Sequence, residues 1–191
     1  MALDQSDQVD DDALIVLFAN GDSAAAETLT LRLSPQALSF ARRMLGDLAE
    51  AEDVVQDAML RLWRVAPDWR PGEAKPATWL YRVVNNLCID RLRKRQRVNV
   101  GLDDMAEPSD PTPSVEARLI ENDRMAALDA ALAVLPERQR QAVVLRHIEG
   151  QANPEIAQIM DISVEAVESL TARGKRTLAK LLTSRKEELL S

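Results

Sequence analysis

Cysteine and histidine are almost missing from this chain. Cys88 is its one thiol and His147 its one imidazole. A single thiol cannot close an internal disulfide, and one Cys with one His falls short of a zinc site. No metal and no cofactor is expected. A lone histidine, with no serine, cysteine or carboxylate cluster beside it, gives no catalytic constellation, so the chain does not read as an enzyme. Aromatic residues make up 3% of the 191 positions, too few for a sheet-rich protein, while alanine and leucine are abundant, which favours helix. No apolar run approaches the ~18 residues of a membrane span. Met1 to Asp12 is acidic and lacks the basic start and apolar stretch of a signal peptide. These absences point to an all-α, cytoplasmic protein with no membrane insertion.

What is present is apolar content of 46%, enough for a core, and a net charge of −7. That charge is unevenly spread. Residues 1–64 carry −7, residues 65–97 carry +5, residues 98–135 carry −6 and residues 136–191 carry +1. Within the last block, residues 171–186 hold six basic groups and no acid. Two basic patches in an acidic chain are compatible with solvated helix faces. They are equally the footprint of a nucleic-acid binder, for which distribution matters more than the sum.

Helical spacing organises most of the sequence. It begins at Ala13, with Leu14, Leu17 and Phe18 to one side, and Gly21-Asp22-Ser23 reads as a stop and a new start. A helix from Ser23 to about Leu33 is expected to break at Ser34-Pro35 and restart, with Pro in the first turn, as far as Gly46. Ala49 to Val65 follows, with Ala51, Val55, Ala58, Leu62 and Val65 on its inner face. Pro67, Pro71, Gly72 and Pro76 enforce a loop. A long helix from Ala77 to Arg95 turns Leu80, Val84, Leu87 and Leu92 inward and ends in the run Arg91 to Arg97. Residues 98–114 contain Gly101, Pro108, Pro111 and Pro113, four acids and no base. That composition reads as a flexible linker between two domains, 13–97 and 115–182. Its acidity serves solubility or mimics nucleic acid near a basic channel.

In the second domain, helices are expected over 115–134, 136–148 with Pro136 at its first position, 154–160 after Asn153, and 164–182 after Ser163. The last two are separated by about three residues. Ile156, Ala157, Ile159, Met160 and Ile162 face Val167, Leu170, Gly174, Leu178 and Leu181. This is the pattern of a helix-turn-helix, whose second helix enters a DNA major groove. Its outer face holds Glu165, Glu168, Ser169, Ala172, Arg173 and Arg176. Early residues on such a face meet base edges and later ones meet phosphates. A plain helical hairpin with a solvated face is the competing reading.

The first domain narrows the function. Ala49 to Asp57 with Leu60-Arg61-Leu62-Trp63 resembles region 2.2 of bacterial RNA polymerase sigma factors. Pro76 to Asn86, running on through Asp90-Arg91-Leu92-Arg93-Lys94, resembles regions 2.3 and 2.4. Leu135 to Arg140 with Glu149-Gly150 resembles the start of region 4, and Pro154 to Arg176 resembles its DNA-reading motif. In order and spacing the chain resembles the extracytoplasmic function (ECF) subfamily, which keeps two sigma domains and little else.

The resemblance implies partners and roles. Asp53, Gln56, Asp57, Leu60 and Trp63 would dock on core RNA polymerase, made of the beta and beta-prime subunits among others, with Trp63 either at that interface or in the core. Trp69, Arg70, Lys75, Trp79, Arg82, Asn86, Arg91 and Arg93 would meet the minus-ten element of promoter DNA. Melted bases need planar or apolar surfaces with cations nearby, and these residues supply both. Trp79 is also a candidate core aromatic. Glu165, Glu168, Ser169, Arg173 and Arg176 would meet the minus-thirty-five element. An anti-sigma factor is implied as a regulator. Cys88 is read as a structural thiol, with a redox sensor as the alternative. The family commonly carries Val-Lys-Ser-Arg where this chain has Val167-Glu168-Ser169-Leu170, and often Gly where it has Asp161. The reversed charge at Glu168 implies an altered base preference. A stand-alone helix-turn-helix regulator with a ligand pocket in residues 13–97 is the alternative function. The Arg91–Arg97 run and the Trp-containing loop argue against such a pocket.

Overall fold

The computed structural model describes residues 9–99 and 116–188. All regular elements among them are helical: α1 (Asp11–Ala19), α2 (Ser23–Leu45), α3 (Leu48–Val65), α4 (Pro76–Asn99), α5 (Glu116–Val134), α6 (Glu137–Val143), α7 (Asn153–Met160) and α8 (Val164–Glu188). A 3₁₀ turn, Ala66–Asp68, follows α3, and a π-helical turn, Val144–Ile148, prolongs α6. The all-α expectation is met. From residue 100 onward the expected linker lies outside the described residues.

Short polar side chains set the helix starts. The Asp22 carboxylate accepts from the Ala24 and Ala25 amides, Asp47 accepts from Glu50, and Ser163 accepts from Ala166. Helix α7 starts one residue earlier than expected. Its free amide at Ala152 is taken by Glu155, which reaches back at 2.9 Å, so the closing group lies within the helix rather than at Asn153.

Ser34-Pro35 does not break the chain. Helix α2 runs through Pro35 without interruption. Pro35 is exposed, so the carbonyl it leaves unpaired has access to water. Leu33, Ala37, Phe40 and Ala41 keep one buried face on either side of it. Packing along that face outweighs the local cost of the proline. Leu17, expected to face inward, is 42% exposed, and Ile15 is the fully buried residue of α1 in its stead.

Helices α1 to α4 form one bundle, with α2, α3 and α4 in mutual contact, and α5 to α8 form a second. The two bundles touch. Helix α4 packs on α7, and α2 packs on α5 and on the π-helical turn. Buried apolar residues run without interruption from Phe40, Leu62 and Leu80 in the first bundle to Leu132, Leu145 and Ile156 in the second.

Candidate polymerase and nucleic-acid interfaces

Helices α2 and α3 leave an apolar groove of about 570 Å³ along the outside of the first bundle, lined by Pro35, Leu38, Val55, Gln56, Met59, Leu60 and Trp63 among others. Leu60 stands in it 50% exposed. Trp63 is half-buried, with its ring 4.7 Å from that of Phe18. It serves the core with one face and the groove with the other. Asp53 and Asp57 lie off this line. Asp57 pairs with Arg61 at 3.0 Å, one turn on, and Asp53 stands 3.7 Å from Arg91 of α4. The five docking candidates thus divide into a groove set and an acidic margin.

The loop between α3 and α4 folds over a second concavity of about 270 Å³, enclosed by Arg64, Asp68, Trp69, Arg70, Glu73 and Trp79. Trp69 and Trp79 meet edge to face at 6.3 Å, and the Trp69 indole N–H donates to Asp12 at 3.0 Å. Both rings are partly buried. Arg70 is exposed and pairs loosely with Glu73 at 3.5 Å. Along α4, the exposed side chains Arg82, Asn86 and Arg93 continue the row that starts at Trp79.

Lys75 departs from that row. Its ammonium group donates to Glu155 of α7 at 2.7 Å. The hydrogen bond and the charge of Glu155 raise the lysine's pKa, and the same bond lowers that of Glu155. The Arg91–Arg97 run is also divided. Arg95 pairs with Glu50 at 2.7 Å and donates to the Leu45 carbonyl at 2.8 Å, closing the end of α2. Arg91 leans on Asp53. Arg93, Lys94 and Arg97 remain exposed.

Helices α7 and α8 form the expected helix-turn-helix. Asp161 supplies the turn with a left-handed backbone, φ 52°. Gly174 makes the close approach possible on the other side of α8. A Cβ at that position would lie 2.6 Å from Val143 Cγ2 and 3.2 Å from the Gln139 carbonyl. Glu165, Glu168, Arg173 and Arg176 are exposed and Ser169 is half-exposed. The Glu165 carboxyl is held below its ordinary range by its own backbone amide and by Ser163. Arg173 and Arg176 stand with Lys180, Thr177 and Gln139 around a shallow polar hollow.

A model of Sigma-70 region 2 matches residues 29–98, and a model of Sigma-70, region 4, matches residues 125–178. The ECF RNA polymerase sigma factor SigM of Mycobacterium tuberculosis is 33% identical over 173 residues, covering 90% of this chain and 84% of that protein. This chain belongs to the ECF family of RNA polymerase sigma factors. The RNA polymerase sigma-H factor of Pseudomonas aeruginosa is 29% identical across 92% of this ECF chain and 95% of its own length. Among solved structures, CnrH in complex with the cytosolic domain of CnrY superposes with a TM-score of 0.69 at 26% identity, over 91% of this chain and 97% of that one. No described helix of this sigma factor is long and apolar enough to cross a membrane.

One set of contacts had no signal in the sequence. Glu149, which the sequence marks only as part of the resemblance to region 4, accepts hydrogen bonds from Ser39 and Tyr81, and Asp129 lies against Arg42 and Arg43. No spacing rule pairs residues 68 and 110 positions apart.

Proposed function

We propose that this chain programs core RNA polymerase for a set of promoters, acting in the cytoplasm and catalysing no step itself. The boundaries that suit this role are a region 2 domain at 13–97, a linker at 98–114 and a region 4 domain at 115–182. The groove of Gln56, Leu60 and Trp63, with Asp53 and Asp57 at its margin, docks on the polymerase. An apolar floor with an acidic edge suits a partly apolar, basic partner. Trp69, Arg70, Lys75, Trp79, Arg82, Asn86, Arg91 and Arg93 receive the minus-ten element. Glu165, Glu168, Ser169, Arg173 and Arg176 receive the minus-thirty-five element.

The observation that carries this reading is the concavity between Trp69 and Trp79, with Arg64 and Arg70 at its rim. A melted base set down there would meet aromatic walls, and its backbone would meet cations, which is what single-stranded DNA needs once it leaves the stack. CnrH is in complex with the cytosolic domain of CnrY, and this chain is likewise taken to be held by a partner protein, the anti-sigma factor that the family resemblance implies.

The test is transcription with core polymerase from a matched bacterium on a pool of genomic promoter fragments. Transcripts should appear only when the protein is added. Leu60→Arg should abolish them by preventing polymerase binding. Trp69→Ala should leave polymerase binding intact and abolish promoter opening, read by permanganate reactivity of unpaired thymines. A protein that shifts duplex DNA unaided and yields no transcripts would instead be a free-standing regulator.

A further inference from the structure

The two DNA-reading bundles are held together by polar contacts as well as by apolar packing. The Glu149 carboxylate, at the end of the π-helical turn, takes the Ser39 hydroxyl on one oxygen at 2.8 Å and the Tyr81 hydroxyl on the other at 2.9 Å. Ser39 belongs to α2 and Tyr81 to α4, so one side chain of the second bundle ties two helices of the first. Lys75 reaches Glu155 at 2.7 Å. Arg42 meets Asp129 of α5 at 3.1 Å, and Arg43 stands 3.5 Å from its other oxygen. In each of the three links the second bundle supplies the carboxylate and the first supplies the donor.

This geometry is incompatible with reading both promoter elements together. Elements centred at minus ten and minus thirty-five are about 25 base pairs apart, roughly 85 Å along the duplex at ~3.4 Å per pair. In the protein Lys75, immediately before α4, is bonded to Glu155 of α7, α4 itself packs on α7, and α7 is the first helix of the helix-turn-helix. Even α8, with 25 residues, is only about 37 Å long at 1.5 Å per residue. The closed chain can engage one element, not two. Lys75, one of the residues assigned to the minus-ten element, is already occupied by Glu155.

We propose that Glu149, Glu155 and Asp129 form an intramolecular latch that holds this sigma factor closed and idle without any other protein. Opening breaks three links, releases Lys75 and lets the two bundles reach their separate elements. The lowering of promoter use that this implies rests on the function proposed above. The closure itself does not.

Tyr81 is the chain's only tyrosine, so 3-fluorotyrosine incorporation gives one ¹⁹F resonance at the centre of the latch. The comparison is between the full-length protein and its Asp129→Asn, Glu149→Ala, Glu155→Gln triple variant. Gln at 155 keeps the oxygen that caps Ala152. In the unaltered protein the resonance should show little H₂O-to-D₂O shift. In the variant it should move and acquire the full solvent shift, with an unchanged helical circular dichroism spectrum. Transcription at limiting protein should then rise severalfold in the variant and converge with the unaltered protein at saturation. A solvent-exposed resonance in the unaltered protein would overturn the closure. An opened variant with unchanged transcription would overturn the inhibition. Absence of transcription from both, with the resonances behaving as expected, would leave the closure standing and remove the sigma reading beneath the inhibitory role. If the variant loses its helical signal, Ser39→Ala with Arg42→Gln breaks links from the first bundle, and the same two readings decide.

Discussion

Tyr81 donates its hydroxyl to Glu149 at 2.9 Å while its ring edge packs on Phe40 at 5.8 Å, so one side chain joins the first bundle's core to the second bundle's surface. Burial, then the negative charge of Glu149, then the hydrogen bond to it, push the phenol's pKa up from its ordinary value near 10. The raised pKa means that the neutral phenol is the form the folded protein favours. Its contribution is complete below pH 10 and is lost as the pH rises through the folded-state value. Alkaline titration followed at the phenolate absorbance near 295 nm should therefore show no step at pH 10 in the native protein. In Glu149→Ala the step should move down toward 10. An ordinary titration in the native protein would mean that Tyr81 does not sit against Glu149.

Gly174 lies where α8 packs closely on α6. Alanine is the better helix former by about 1 kcal/mol, so on propensity alone Gly174→Ala would stabilise the protein. The new Cβ would lie 2.6 Å from Val143 Cγ2, which is buried, and 3.2 Å from a backbone carbonyl. Neither neighbour is the free end of a flexible side chain. Overpacking of about 1–3 kcal/mol should outweigh the propensity gain. The expected result is a lower denaturation midpoint and weaker use of minus-thirty-five elements, measured by urea unfolding and by transcription. A midpoint above that of the unaltered protein would show that the crossing can relax.

Asp161 presents the opposite case. Its φ of 52° and ψ of 54° place a side-chain-bearing residue in the left-handed region, at the turn of the helix-turn-helix. This conformation costs most L-residues about 1–2 kcal/mol, and somewhat less for Asp, while glycine adopts it freely. Asp161→Gly should thus be neutral to stabilising by up to about 1 kcal/mol, with the ladder around α7 unchanged. A clear loss in a thermal melt would mean that the aspartate does more than turn the chain.

The helix-turn-helix, the Ser163 cap and most of the inner faces are legible because they depend on residues three or four apart. Val55, Ala58 and Leu62 of α3, and Ile156 and Val167 at the motif's centre, are buried as their spacing predicts. Pro35 departs from its expected role because a proline's local cost is visible in sequence, whereas the Leu33–Ala37–Phe40 face that overrides it becomes decisive only when packed. The Arg91–Arg97 run read as one cationic stretch. A helix turns it through all directions, so Arg95 closes α2 while Arg93 faces out. The groove and the loop concavity were present only as residue types, since a concavity is made by two elements whose packing sets its shape.

Cys88 tests the reading of its thiol as structural. It is fully buried on α4, and burial pushes its pKa up to about 12, against the opposing pull of the Arg91 and Arg140 cations. A thiolate is the reactive form, and at pH 8 almost none is present. Native protein should react with a disulfide reagent only as fast as the core or the interface opens, and reaction should become rapid in denaturant. Fast native labelling at pH 8 would favour the redox-sensor alternative.

Glu168 is the residue on which promoter choice should turn. It is exposed at the outer face of the first turns of α8, five residues before Arg173. A carboxylate there repels phosphate, so it can stabilise the complex only where it finds a donor. The exocyclic amino group of cytosine in the major groove is the donor best suited to it. Glu168→Ala should therefore relax selection at one position of the minus-thirty-five element, by about 1–3 kcal/mol for the preferred base pair, and leave the minus-ten preference alone. Glu168→Lys should have a second effect. An added phosphate contact should steepen the dependence of promoter binding on salt by about one unit in the log–log slope. Both can be read from holoenzyme selection on a library randomised across the minus-thirty-five element, repeated at two salt concentrations. If neither substitution changed the selected sequences, base reading would have to lie with Ser169 and Arg173, and Glu168 would be a solvated side chain that the complex tolerates.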